Sequence, residues 1–146
     1  MSNFDEYQKY MRYKYGYQAF SIVLVLTLLN FFMSLFYDFQ WGETGELETM
    51  VIVLIAAMYS LIMYIYKGAY FTKKQNPQLN AVIFFILGLL NISNSLSPYS
   101  PIIVDGKITS NIIMPLNGAM FVFISAAYLL KLFVEKRQDK EDFDEE

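Results

Sequence analysis

Two apolar stretches carry the side chains best placed to do chemistry. LLNFFMSL (28–35) holds Asn30 and Ser34, and LLNISNSL (89–96) holds Asn91, Asn94 and Ser95. An amide donates and accepts hydrogen bonds but does not titrate, so it can bind or pack and cannot relay a proton. Thr27, Asn30 and Ser34 are three and four residues apart and share one helical face, as do Gly88, Asn91 and Ser95. A fourth apolar run adds Asn117 and Gly118 just after Pro115, whose ring predicts a kink. Counted from the basic ends of their runs, Asn30, Asn91, Asn94 and Asn117 fall about 15–20 Å deep, at or slightly beyond a bilayer midplane. With Ser34 they form a candidate intramembrane polar cluster. One reading is packing: interhelical hydrogen bonds of about 0.6–2 kcal/mol each, with Gly88, Ser95, Gly118, Ala56 and Ser60 letting backbones approach. The other is a small polar cavity, open outward, for a ligand or a partner's transmembrane helix.

Other chemistries lack their residues. The chain has no cysteine and no histidine, which removes thiolate nucleophiles, imidazole bases and the usual soft-metal ligands. No Asp, Glu, Lys or Arg falls inside a predicted span, which argues against proton-coupled carriers. There is no glycine-rich phosphate loop and no nucleophile–base pair. The acids between the first two runs (Asp38, Glu43, Glu46, Glu48) lack the spacing of a committed calcium loop. Basic residues are too few and too close to the apolar runs for nucleic-acid binding. The expectation is a protein that is not an enzyme, with no catalytic residue, cofactor or metal.

The elements that must position the amides are four uncharged runs, 19–37, 50–66, 81–96 and 112–130. As helices they would be rods of roughly 24–28 Å, close to the thickness of a hydrocarbon core. The chain therefore reads as an all-α membrane protein with four transmembrane helices arranged as two helical hairpins. The polar outer half of the third run leaves a tilted or re-entrant segment as an alternative. Residues 1–18 form a tyrosine-rich amphipathic lead, with Phe4, Tyr7, Met11 and Tyr15 on one stripe. That lead is expected to lie in the membrane interface as a separate helix. Residues 19–130 make the membrane domain and 131–146 a charged tail, solvated and disordered after Arg137. A cleaved signal peptide is not expected, since the first run is long and lacks a small-x-small site.

Ten of the eleven basic residues cluster in three places: Lys9, Arg12 and Lys14; Lys67, Lys73 and Lys74; Lys131, Lys136, Arg137 and Lys140. Lys107 alone lies in either of the other connections. The positive-inside rule then predicts both termini in the cytoplasm. The first outer connection is acidic, and its Trp41 is a candidate interfacial anchor. The second places Asp105-Gly106 between IIV and KIT, the signal of a type I′ β-hairpin, with a plain loop carrying a local turn as the alternative.

KYGYQAF leading into the first run, LLNFFMSLFYDFQW, and IYKGAYF closing the second resemble small, largely uncharacterised multi-spanning bacterial membrane proteins, over residues 14–71. The resemblance implies a bacterial cytoplasmic membrane and no particular chemistry. The reading as a whole is a membrane protein acting by binding, as an accessory, regulatory or immunity-type subunit. Its expected partners are membrane lipid and either another copy of itself or a larger membrane complex, with no nucleic acid. The alternative is an oligomeric small channel or transporter with an amide-lined polar centre.

Overall fold

A computed structural model describes residues 4–72, 75–95 and 101–144. Lys73 and Lys74, residue 96 of the expected third span and residues 97–100 of the second outer connection lie outside the described residues, as do 1–3 and 145–146.

Helix α1 runs unbroken over Glu6–Tyr37. It starts at a capping box: the Gln8 N–H donates to Asp5 Oδ1 at 2.8 Å, and the Asp5 N–H donates to Gln8 Oε1. It ends where Asp38 adopts a left-handed φ of 49°. The separate interfacial lead expected over 1–18 is thus corrected: its helical residues are the first turns of span one. Nothing between Glu6 and Tyr37 is a proline, and the one glycine, Gly16, is put to use by α2. At about 1.5 Å per residue, 32 residues make a rod of about 48 Å, well beyond a hydrocarbon core of about 30 Å.

Helix α2 (Gly45–Tyr66) is capped by Thr44, whose hydroxyl accepts from the Leu47 N–H at 3.2 Å. It closes in a Schellman turn, with Ala69 N–H donating to Tyr64 O, Gly68 N–H donating to Ile65 O, and Gly68 at φ 68°. Helix α3 (Pro77–Ser95) opens with proline at its first position after Asn76, whose side-chain oxygen accepts from the N–H groups of Gln78 and Leu79. The β-hairpin follows: β1 (Ile103–Val104) pairs antiparallel with β2 (Lys107–Ile108). Asp105 and Gly106 sit at φ 49° and 77°, the two positive values a type I′ turn requires.

A short 3₁₀ turn, Ser110–Ile112, leads into α4 (Ile113–Asp144). Pro115 occupies the third position of α4, where a missing N–H leaves no intrahelical bond broken, so the expected mid-helix break does not arise. Past the fourth apolar run the backbone stays helical through Asp144, and so through residues 138–144, for which the sequence predicts disorder. KLFVEKRQDKEDF contains no glycine or proline, and Lys131 pairs with Glu135 one turn on.

The helices pack in the order α1, α2, α4, α3, with α3 against α4 the broadest contact. That contact is close because it lacks side chains where the two helices cross. A Cβ on Gly88 would lie 2.9 Å from the Gly118 carbonyl oxygen, and a Cβ on Gly118 would lie 2.9 Å from that of Gly88. Ile65, Ala81, Ile124, Ala127 and Tyr128 form the buried cluster, joined by Phe71, Phe84 and Phe121. Phe84 and Phe121 stack at 5.8 Å between ring centroids. Outside this cluster, large apolar side chains face outward on every helix, among them Leu28, Phe31 and Leu35 on α1, Phe85 and Leu90 on α3, and Phe133 on α4. In water so much exposed oil would drive aggregation; against acyl chains it is the ordinary surface.

Candidate functional site

The first outer connection and the hairpin join into one polar cap. Ile108 N–H donates to Trp41 O at 2.9 Å, and Glu43 N–H donates to Ile108 O at 2.7 Å, so Gly42 makes a single parallel bridge to Ile108 at the edge of the two-stranded hairpin. Lys107 Nζ donates to Gln40 Oε1 across the same seam. Beneath it lies a chain of hydrogen bonds that ties the cap to α1 and α2. The Trp41 indole N–H donates to Asn30 Oδ1 at 2.7 Å, and Asn30 Nδ2 donates to Glu48 Oε2 at 2.7 Å. The other carboxylate oxygen, Oε1, accepts from the Gly42 N–H at 2.8 Å. Glu48 is only 2% exposed. Gly42 is close enough that a Cβ would lie 2.7 Å from Glu48 Cγ, so its hydrogen bond depends on having no side chain.

Glu48 lies outside the uncharged run 50–66, yet inside α2, which is longer than that run. Thr44 starts α2 five residues before the apolar run does, which brings Glu48 onto the first turn and turns it inward. The signal was present in TGELE, a capping threonine followed by acids suited to a helix N-terminus. What could not be read is that the second acid would find two donors. Trp41, expected at the lipid boundary, instead spends its indole N–H on Asn30.

The five residues of the candidate polar cluster are divided by the structure among different surroundings. Asn30 belongs to the Trp41–Glu48 network. Ser34, one turn on, is exposed. Thr27, on the same face, buries its hydroxyl without a hydrogen-bond partner. Asn91 Nδ2 donates to Leu87 O at 2.9 Å, a carbonyl of its own helix, and Ser95 likewise donates to Ile92 O. Asn94 and Asn117 come together, lining a cavity of about 300 Å³ between the end of α3 and the start of α4. Ser110 and Asn111 line it too, and no charged side chain does.

The opposite end of the molecule carries the basic residues and is tied as firmly. Gln8 Nε2 donates to Gly68 O and Phe71 O at 2.9 and 3.2 Å, clamping the start of α1 to the turn after α2. The Tyr64 hydroxyl donates to Arg12 O at 3.0 Å and lies 3.0 Å from where a Gly16 Cβ would be; Gly16 is the opening through which the phenol reaches the backbone. The Tyr59 hydroxyl donates to Gln18 Oε1 at 2.7 Å, and the Tyr15 ring meets Tyr59 edge-on. The tyrosine-rich lead therefore has two faces. Tyr15 is buried in the α1–α2 contact, whereas Tyr7, Tyr10, Tyr13 and Tyr17 remain exposed.

Four helices long and apolar enough to cross a bilayer, with apolar side chains facing out around them, define a small all-helical, multi-pass membrane protein. No protein-family model, curated protein or solved structure matches the chain.

Proposed function

We propose that the chain works by binding within the membrane, as an accessory, regulatory or immunity-type subunit that docks on a larger membrane complex or on a second copy of itself. The observation that carries this reading is α1. It is the least buried of the four apolar helices and packs mainly on α2, leaving Leu28, Phe31, Leu35 and Phe36 outward along its length. Yet it is held in place at both ends, by Gln8 at one and Asn30 at the other. A helix fixed so firmly while offering its whole apolar flank is suited to lateral contact with another helix.

The same proposal threads the helices as two helical hairpins with both termini cytoplasmic. The charge asymmetry supports it, and so does the gathering of Arg12, Lys67 and Lys131 at one end and the acidic cap at the other. The membrane is then the bacterial cytoplasmic one implied by the sequence resemblance. A photo-crosslinking residue at Phe31 or Leu35 tests the docking role in intact cells. The expected result is a discrete protein adduct from these positions and none from Phe85 or Leu90 on α3. Lipid adducts alone, from all four positions, would sink it.

A second reading, an oligomeric channel or transporter, is favoured by one observation, the uncharged cavity lined by Asn94, Asn111 and Asn117. Reconstituted vesicles separate the two. Solute flux abolished by Asn94→Leu with assembly unchanged supports transport, and absence of flux supports docking.

A further inference from the structure

At the basic end, α1, the turn after α2, and α4 enclose a cavity of about 330 Å³ lined by Tyr7, Tyr66, Lys67, Lys131, Val134 and Glu135. Lys131 reaches it across Gly68: a Cβ there would stand 2.8 Å from Nζ. The glycine that the Schellman turn needs for its left-handed φ therefore also leaves room for the ammonium. Lys131 is half-buried, and its one ion pair among the described residues is with the more exposed Glu135 at 3.5 Å. Lys67 has no carboxylate partner among the described residues; its Nζ lies 5.2 Å from the ring of Tyr66.

Among the described residues that line the cavity, two ammonium groups face one carboxylate, an excess of one positive charge, and an ammonium drawn partly out of water calls for an anion. Lysine offers only donors, and the phenols of Tyr7 and Tyr66 add hydrogen-bonding groups, a set suited to a tetrahedral oxyanion. Charge matching is selective. A phosphodiester carries one negative charge, whereas a second charge would be repelled by Glu135. The place decides the carrier of that group. Tyr66 stands exposed at this end of α2, an aromatic suited to the membrane interface, and Leu130 and Phe133 are exposed on the same stretch of α4, where acyl chains would run.

We propose that this cavity is a binding site for an anionic phospholipid, with the headgroup phosphodiester held between Lys67 and Lys131. The site is built from three helices, so an occupied headgroup would also tie α1 to α4, which otherwise touch little.

The test is native mass spectrometry of the full chain in a neutral detergent, titrated with short-chain phosphatidylglycerol, phosphatidylcholine or inorganic phosphate. The expected result is a saturable phosphatidylglycerol adduct that neither of the others forms or displaces. Lys67→Gln and Lys131→Gln should each weaken it about fivefold, the scale of one cation at an anionic surface. Lys131→Arg should retain it. Lys136→Gln removes the same charge one residue outside the cavity lining and should leave the adduct unchanged. A helical circular dichroism spectrum qualifies each variant, and Lys67→Gln carries the test if Lys131→Gln does not fold. Equal weakening by Lys136→Gln, equal binding of phosphatidylcholine, or displacement by inorganic phosphate would each overturn the proposal. Binding in detergent is independent of how the chain is threaded or what docks on α1, so this result stands apart from the proposed function.

Discussion

Asn30 and Asn91 occupy the same local sequence, Leu-Leu-Asn, near the far ends of α1 and α3, and they do different work. Asn30 is the middle of a relay, accepting from Trp41 and donating to Glu48, and through them it fastens the polar cap to two helices. Asn91 turns its amide onto Leu87 O and, among the described residues, has no hydrogen bond to another element. The contact that α3 makes with α4 does not need it, because Gly88 and Gly118 bring the two backbones together directly. The pair teaches that an amide in an apolar helix is a request for partners, answered by whatever the next connection delivers. After Asn30 the chain supplies an indole, a glycine N–H and a carboxylate within eighteen residues; among the described residues around Asn91, the partner it takes is its own helix.

The largest effect expected from breaking this contrast comes from Asn30→Leu. It strips one partner from a buried carboxylate and the acceptor from a half-buried indole, and should destabilise the protein by about 3 kcal/mol. Thermal unfolding in detergent measures the loss. Trp41, the one tryptophan in the chain, reports the break separately through a change in its emission.

Gly88→Val tests the other way of joining helices. Its side chain would enter the space of the Gly118 carbonyl and Val122, and overpacking of this kind costs about 1–3 kcal/mol. The expected signature is a lowered unfolding temperature with Trp41 emission unchanged, since the cap is not involved. Gly42→Ala should be milder, about 1 kcal/mol. It pushes on Glu48 Cγ and lengthens a single hydrogen bond, which faster proteolysis of the cap would detect. Asn91→Leu sharpens the comparison from below: removing a bond to its own helix should change stability by less than about 0.5 kcal/mol. A loss as large as that from Asn30→Leu would mean that Asn91 has a partner beyond the described residues.

The two ends of the molecule differ in the same spirit. The acidic end is assembled from connections, with Gly42 bridged to the hairpin, whereas the basic end is assembled from helix extensions, with α1 reaching beyond its apolar run to clasp the turn after α2. This explains where the sequence was legible. Uninterrupted apolar runs announce four helices, because backbone amides in oil have no other way to be satisfied. Asp105-Gly106 announced its turn, because only that pair of positive φ values closes a two-residue hairpin with the right twist. Helix ends were less legible, since polar helix continues beyond oil without a change in local rules; α1 and α4 both overran their apolar runs for that reason. Pro115 was legible as a proline and misleading as a kink, its effect depending on where the helix begins.

Composition and order alone thus fixed the solvent, the number of helices, the asymmetry of charge and the hairpin turn, since each follows from local chemistry: desolvated peptide groups, the φ preferences of glycine and aspartate, and lysines that resist entering lipid. Only the tertiary structure decided which polar groups meet. Whether Asn30 faces Glu48 or Asn91, and whether Lys131 lies over Gly68, depends on the rotation and depth of one helix against another. That register is set by the sum of many weak apolar contacts and a few glycine approaches, none of which is visible in a single stretch of chain.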